Sequence, residues 1–323
     1  MDNNLQKYLN EIDQSVQNFH LPKNPIHLYE PINYILGLGG KRIRPVLTLM
    51  ACELFQGDFS KAKNASLAVE LFHNFSLVHD DIMDEAPLRR GVATVHTKWN
   101  KNIALLSGDA LLIESYKLLC LYEADLSQNL LHVFNKTASE VCEGQQSDMD
   151  FESQQSVSID EYLEMIRKKT AVLLGCSLKM GAMIGGASTK DANDLYGFGV
   201  NLGVAFQLQD DILDVYSDQS KFGKQVGGDI VANKKTYLLL RAYQDANAKQ
   251  KLQLEKLLNE SNSEIKINEI TSLFNTLDVR EKATAKMNQY YDIALTNLSH
   301  LCLGEEKKKP LKDLAGFLMS RDV

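Results

Sequence analysis

Proline limits this chain more than any other residue. It occurs six times, four of them before residue 50, and not once between Pro87 and Pro310. A proline inside a helix removes an amide donor and clashes with the preceding turn, so its absence leaves helix open throughout. Apolar residues use that freedom. Leu71, Phe75, Val78 and Ile82 fall at i, i+4, i+7 and i+11, and Leu195, Phe198, Leu202 and Phe206 at i, i+3, i+7 and i+11. Two-residue alternation over a useful length is absent, which predicts no sheet. Turns are expected at Gly37 to Gly40, Gln56 to Asp58, Ala86 to Gly91, Phe151 to Ser158, Gly185 to Lys190, Ser217 to Gly228 and Asn259 to Ser263. Ser158 ahead of Glu161, and Ser188 ahead of Asp191, read as helix starts. The charge run Glu305 to Lys309 reads as a solvated turn.

Composition excludes several classes. Of 323 residues, 44% are apolar and 24% charged, an ordinary globular balance for one or two domains. The net charge of -7 makes a nucleic-acid partner a poor fit. No stretch approaches the roughly 18 apolar residues of a membrane span. The start carries Asp2, Lys7, Glu11 and Asp13, unlike a signal peptide, so a cytoplasmic location is expected. Five scattered cysteines form no C-x-x-C pair and read as buried small hydrophobes in a reducing compartment.

The chemistry lies in two matching motifs, Asp80-Asp81-Ile82-Met83-Asp84 and Asp210-Asp211-Ile212-Leu213-Asp214, each ending an apolar helical run. The first and third acids of each share a helix face, one turn apart. Like charges at that spacing repel, acids near a helix C-terminus oppose its dipole, and apolar surroundings add a desolvation cost. Hard divalent cations offset all three. Magnesium suits carboxylate oxygens and takes its remaining ligands from water and substrate phosphates. Cations that could receive phosphates surround both motifs. They are Lys41, Arg42 and Arg44 after Gly39-Gly40, Arg89-Arg90, Lys168-Lys169 with Thr170, Lys224, and Lys234-Lys235.

Together these residues resemble the trans-prenyl diphosphate synthases, or polyprenyl synthetases. The shared motifs are G-G-K-R-I-R-P at Gly39 to Pro45, D-D-I-M-D followed by Arg89-Arg90, G-Q-Q-S-D at Gly144 to Asp148, K-T at Lys169-Thr170, F-Q-L-Q-D-D-I-L-D at Phe206 to Asp214, and the lysines at 224 and 234. They appear in the family's order across residues 37–236. The resemblance implies one all-α domain of residues 1–323, an isoprenoid synthase-like helical bundle around a deep central cavity, usually dimeric. It implies that Lys41, Arg44, His73 and Arg90 bind isopentenyl diphosphate, His73 standing where some members have glutamine. Asp80, Asp84 and Asp210 would ligate magnesium, three ions with substrate bound, and Asp81, Asp211 and Asp214 would support them. Arg89, Lys169, Lys224 and Lys234 would hold the allylic diphosphate. Thr170 and Gln207 would place oxygens near the developing cation, with Lys169 oriented by Gln145 or Asp148.

Product length is read from the approach to the first motif. Phe75 stands five residues before Asp80, about 7.5 Å along a helix, and Ser76 four before. A ring there blocks a growing tail while the serine leaves room beside it. In the family this resembles short-chain enzymes, so geranylgeranyl diphosphate is expected, with farnesyl diphosphate next. Two rivals are a terpene cyclase, which typically replaces the second motif, and a non-catalytic subunit, which should have lost acids or cations. Neither loss is seen here.

Overall fold

The structure, a computed structural model, describes residues 3–217 and 227–320. Helices dominate it. They are α1 (Asn3–Gln17), α2 (Ile26–Gly37), α3 (Ile43–Gln56), α4 (Lys63–Met83), the short α5 (Val95–Lys98), α6 (Lys101–Leu119), α7 (Ala124–Ser153), α8 (Ile159–Ile166), α9 (Val172–Ile184) and α10 (Thr189–Tyr216). Further helices run Gly228–Val231, Tyr237–Asp245, Ala248–Leu258, Ser263–Thr276, Val279–Ser299 and Glu305–Met319. The described residues of 1–135 with 176–195 form one compact unit, and those of 136–175 with 196–323 form another.

In the first unit α4 is the central helix. Every residue from Ala65 to Phe72 is buried, as expected of a helix apolar nearly all round. It packs chiefly on α6 and α3. Phe72 and Phe134, both almost fully buried, meet edge to face at 5.2 Å, a favoured aromatic geometry. One acid interrupts the stripe. Glu70 is buried but accepts from the Arg42 guanidinium and the Asn74 amide, so its charge is paired. α4 stops at Asp84, and Glu85 follows with a positive φ of 49°.

The chain then makes a hairpin, β1 (Leu88–Arg89) with β2 (Val92–Ala93), where no strand was expected. Its two turn residues, Arg90 and Gly91, both have positive φ, the requirement of a type I′ hairpin. Strands of two residues are too short to show alternation.

In the second unit Leu208, Ile212, Leu238, Phe274 and Val279 are core residues. α8 begins with the expected capping box at Ser158 and Glu161 and runs into a π-helical turn, Arg167–Ala171. That turn lies against two neighbouring helices. A Cβ on Gly144 of α7 would fall 2.3 Å from the Lys169 amide nitrogen, and one on Gly203 of α10 would fall 2.7 Å from Ala171 Cα. Only glycine permits such approaches.

Two expectations need correction. Glu305 to Lys309 is not a turn but the start of the Glu305–Met319 helix. Its acids suit the positive end of the helix dipole, and Lys308 is buried with its ammonium near Glu305 and the Ser299 carbonyl. Of the cysteines, Cys52 and Cys176 are buried, but Cys120, Cys142 and Cys302 are exposed. Exposure depends on which helix face a lone residue takes.

Candidate active site

Asp80, half-buried, and Asp84, exposed, stand one turn apart at the C-terminal end of α4. Between them Asp81 points inward and is almost fully buried. Arg89 from β1 donates to it through Nε and Nη2 at 2.7 to 3.0 Å. A two-pronged guanidinium–carboxylate contact is strong and directional, so it ties the hairpin to the end of α4. Arg89, expected to hold a diphosphate, keeps Nη1 outside that pair.

Beside this corner lies a crowd of cations. Arg42 is buried against Glu70 and the Leu36 carbonyl, which makes it structural. Arg44 Nη1 lies 3.3 Å from His73 Nε2. The guanidinium must donate, so Nε2 accepts and the ring proton sits on Nδ1. Burial, and then Arg44, Arg90, Arg89 and Arg42, hold His73 well below its ordinary pKa, hence neutral. Arg90 leans over Gly40, where a Cβ would fall 2.7 Å from Nη2; φ there is +143°. The Gly39-Gly40 turn and the hairpin therefore bring Arg44, His73 and Arg90 to one place, with Lys41 exposed beside them. Among the described residues no carboxylate forms an ion pair with Arg44 or Arg90, and the buried Arg44 Nε has no hydrogen-bond partner. Buried donors without partners are costly, and an anion supplies what they lack.

The second set is built on α10, α8 and the π turn. Asp210 and Asp214 are half-buried on one face of α10, with Gln207 one turn before Asp210. Asp211 is buried. It accepts from the Tyr162 hydroxyl and, at 3.3 Å, from Gln207 Nε2. Burial first, and then Asp229, push its carboxyl up to about 7 against the hydrogen bonds that favour the ion. With its NH2 committed to Asp211, Gln207 keeps its carbonyl oxygen outside that bond. Asp214 caps the next turn, accepting from the Asp229 amide at 2.9 Å. Lys169 Nζ meets Asp148 at 2.6 Å, and Thr170 follows on the same wide turn. Such turns re-aim side chains and recur at functional sites. Lys234 lies 3.9 Å from Asp229. Lys224, and Arg321 near the C-terminus, lie outside the described residues.

The chemistry of these donors suits magnesium: Asp80 and Asp84 in the first unit, and Asp210 in the second, each offer hard carboxylate oxygens. Among the described residues no group of three or more acids, histidines or cysteines is placed to hold a metal ion by itself.

Phe75 and Ser76 take different faces. Ser76 is one turn before Asp80 on the same side of α4. The Phe75 ring is packed between Phe72 at 5.5 Å and His79 at 4.7 Å.

Sequence reasoning passed over Tyr162, Glu70 and Asp229. Tyr162 sits among Leu163, Met165 and Ile166 and reads as core. Glu70 carried a signal, a lone acid inside the apolar α4 run. Asp229 had none beyond the glycines before it.

A family model described as Polyprenyl synthetase matches residues 25–276. A geranylgeranyl pyrophosphate synthase of Geoglobus acetivorans is 37% identical over 315 residues, 96% of each chain. A solved geranylgeranyl pyrophosphate synthase superimposes with a TM-score of 0.92 at 43% identity over the full length of both chains. The geranylgeranyl pyrophosphate synthetase of Pyrococcus horikoshii also gives 0.92, at 34% identity over 99% of this chain and 98% of that one.

Proposed function

Because the chain belongs to the polyprenyl synthetase family, we propose that it condenses isopentenyl diphosphate with an allylic prenyl diphosphate, geranylgeranyl diphosphate being the main product and farnesyl diphosphate the alternative. The observation that carries this reading is the cation cluster around neutral His73, where Arg44 and Arg90 have no carboxylate partners among the described residues.

In this reading Lys41, Arg44 and Arg90 grip the diphosphate of isopentenyl diphosphate, and His73 donates to it from Nδ1. Lys169, Lys224, Lys234 and Nη1 of Arg89 hold the allylic diphosphate. Asp80, Asp84 and Asp210 would hold magnesium, three ions with substrate bound, and the metal would supply charge neutralisation for a leaving diphosphate. Thr170 and Gln207 turn oxygens toward the allylic carbon as positive charge grows there. Apolar surroundings at the reacting carbon would keep water from the cation. The double bond of isopentenyl diphosphate attacks, and a proton is lost to the departing diphosphate. Phe75 stops the tail, with Ser76 leaving space beside it.

The protein works as a homodimer. Leu105, Leu106 and Ile113 on α6 are 48%, 58% and 55% exposed, an apolar face suited to a second copy. No helix among the described residues is long and apolar enough to cross a membrane. No disulfide links the five cysteines, which supports a reducing, cytoplasmic setting.

The test is product chromatography from labelled isopentenyl diphosphate with dimethylallyl, geranyl or farnesyl diphosphate as primer, with and without magnesium. A magnesium-dependent C20 product is expected. Cyclic hydrocarbons, or no product from the purified chain, would contradict the reading.

A further inference from the structure

His79 precedes Asp80 on α4 and has taken no part in holding charge. It lies one turn beyond Phe75, and the two rings meet edge to face at 4.7 Å. Phe72 backs Phe75 from the other side, and Phe72 is itself braced by Phe134. His79 is anchored across the helix pair. Its Nε2 lies 3.1 Å from the Leu105 carbonyl oxygen and 3.7 Å from Asp109 Oδ1, both on α6. The ring reaches that position because residue 108 is glycine. A Cβ there would fall 2.3 Å from His79 Nε2 and 2.4 Å from Cδ2. Those atoms belong to a short planar side chain with little freedom to retreat.

We propose that His79, seated in the notch at Gly108, is a positioning residue that holds the Phe75 ring and thereby sets the length at which the product stops. The proposal rests on the reading of Phe75 as the barrier to the growing tail. A phenylalanine ring turns about two side-chain bonds and keeps one orientation only when its neighbours leave no other. Phe72 and His79, at i−3 and i+4 from Phe75, share its helix face and bracket the ring. The hydrogen bond to the Leu105 carbonyl then refers the ring's position to α6. The barrier is thus set by the packing of two helices rather than by the phenylalanine alone.

The test compares product distributions, each normalised to total label incorporated. His79→Ala removes one side of the bracket, and the main product moves one five-carbon unit longer. Gly108→Ala drives the imidazole away from α6 and toward Phe75, and products move one unit shorter. In the double variant the new methyl no longer meets a ring, so the distribution matches that of His79→Ala. His79→Phe keeps a ring but loses the hydrogen bond to the Leu105 carbonyl, so its products move longer by a smaller fraction; if His79→Ala does not fold, it serves with Gly108→Ala as the pair. General loosening of the fold would not give opposite signs that collapse onto one value. Unchanged lengths in both single variants, or shifts in the same direction, overturn the proposal. Phe75→Ala run alongside separates the two readings. If it leaves product length unchanged, the barrier reading itself fails. If it lengthens products while His79→Ala and Gly108→Ala do not, only the role of His79 fails.

Discussion

The two aspartate motifs are spelled almost alike, yet the fold treats their middle acids in opposite ways. Asp81 is buried against the cation Arg89. Asp211 is buried against the phenol of Tyr162, the side-chain amide of Gln207 and the backbone amide of Tyr237, all neutral donors. A guanidinium balances a carboxylate charge, whereas neutral donors stabilise it without balancing it. Burial therefore drives the Asp211 carboxyl up to about 7. The third acids differ too: Asp84 is exposed, while Asp214 caps a turn. A repeated motif supplies a repeated pair of half-buried acids, Asp80 and Asp210, which are the proposed ligands, but what secures each inward acid is particular to its surroundings.

The comparison can be broken in order of expected effect. If the outward acids are equivalent ligands, Asp80→Ala and Asp210→Ala should each lower kcat by roughly a thousandfold, the upper range for removing one preorganised electrostatic contact. A loss confined to one variant, measured in steady-state incorporation, would mean that only that cluster works on the reacting diphosphate. The inward acids should differ in stability. Arg89→Ala leaves a buried charge without its cation and should cost about 3 kcal/mol in urea unfolding. Tyr162→Phe removes one hydrogen bond to a carboxyl that can hold a proton, and should cost about 1 kcal/mol. Equal costs would show that the two acids are secured alike.

Acidity sharpens the contrast, because the two regions should respond with opposite signs in metal-free protein. The folded pKa of Asp211 lies above its unfolded value, so its contribution is fully present below about 3.8 and is lost as pH rises toward about 7. Against Asp211→Asn, the parent should lose relative stability across that window. His73 is a base whose folded pKa is depressed, so only the unfolded chain takes its proton. Against His73→Gln, the parent should lose relative stability as pH falls below about 6.5. The smallest effect is expected at the wide turn. Asp148→Asn keeps a hydrogen-bond acceptor for Lys169 while removing the charge, so KM for the allylic substrate should rise several-fold with the fold intact. An unchanged KM would leave Asp148 a purely structural partner.

Much of this was legible beforehand because it follows from local rules. The proline-free stretch marked the helices, Ser158 and Ser188 marked helix starts, and acids at i and i+4 had to share a face. The rest depends on partners distant in sequence. Nothing near residue 81 says that residue 89 will return to it, since a hairpin of two-residue strands carries no periodic signal. Tyr162 reads as core until α10 is placed against it. The π turn at 167–171 lies against glycines at 144 and 203, on other helices, which no local pattern announces. Lys308 shows the converse, a charge that sequence sends to solvent and the fold buries with a partner.

Crystals grown with magnesium and a thio-linked allylic diphosphate, whose C–S bond does not ionise, put the account to its most direct trial. The account predicts metal at the carboxylates of both motifs, Asp80 with Asp84 and Asp210, and diphosphate oxygens on Lys169 and Lys234. A diphosphate held by one cluster alone, with the other's carboxylates turned to solvent, would contradict it.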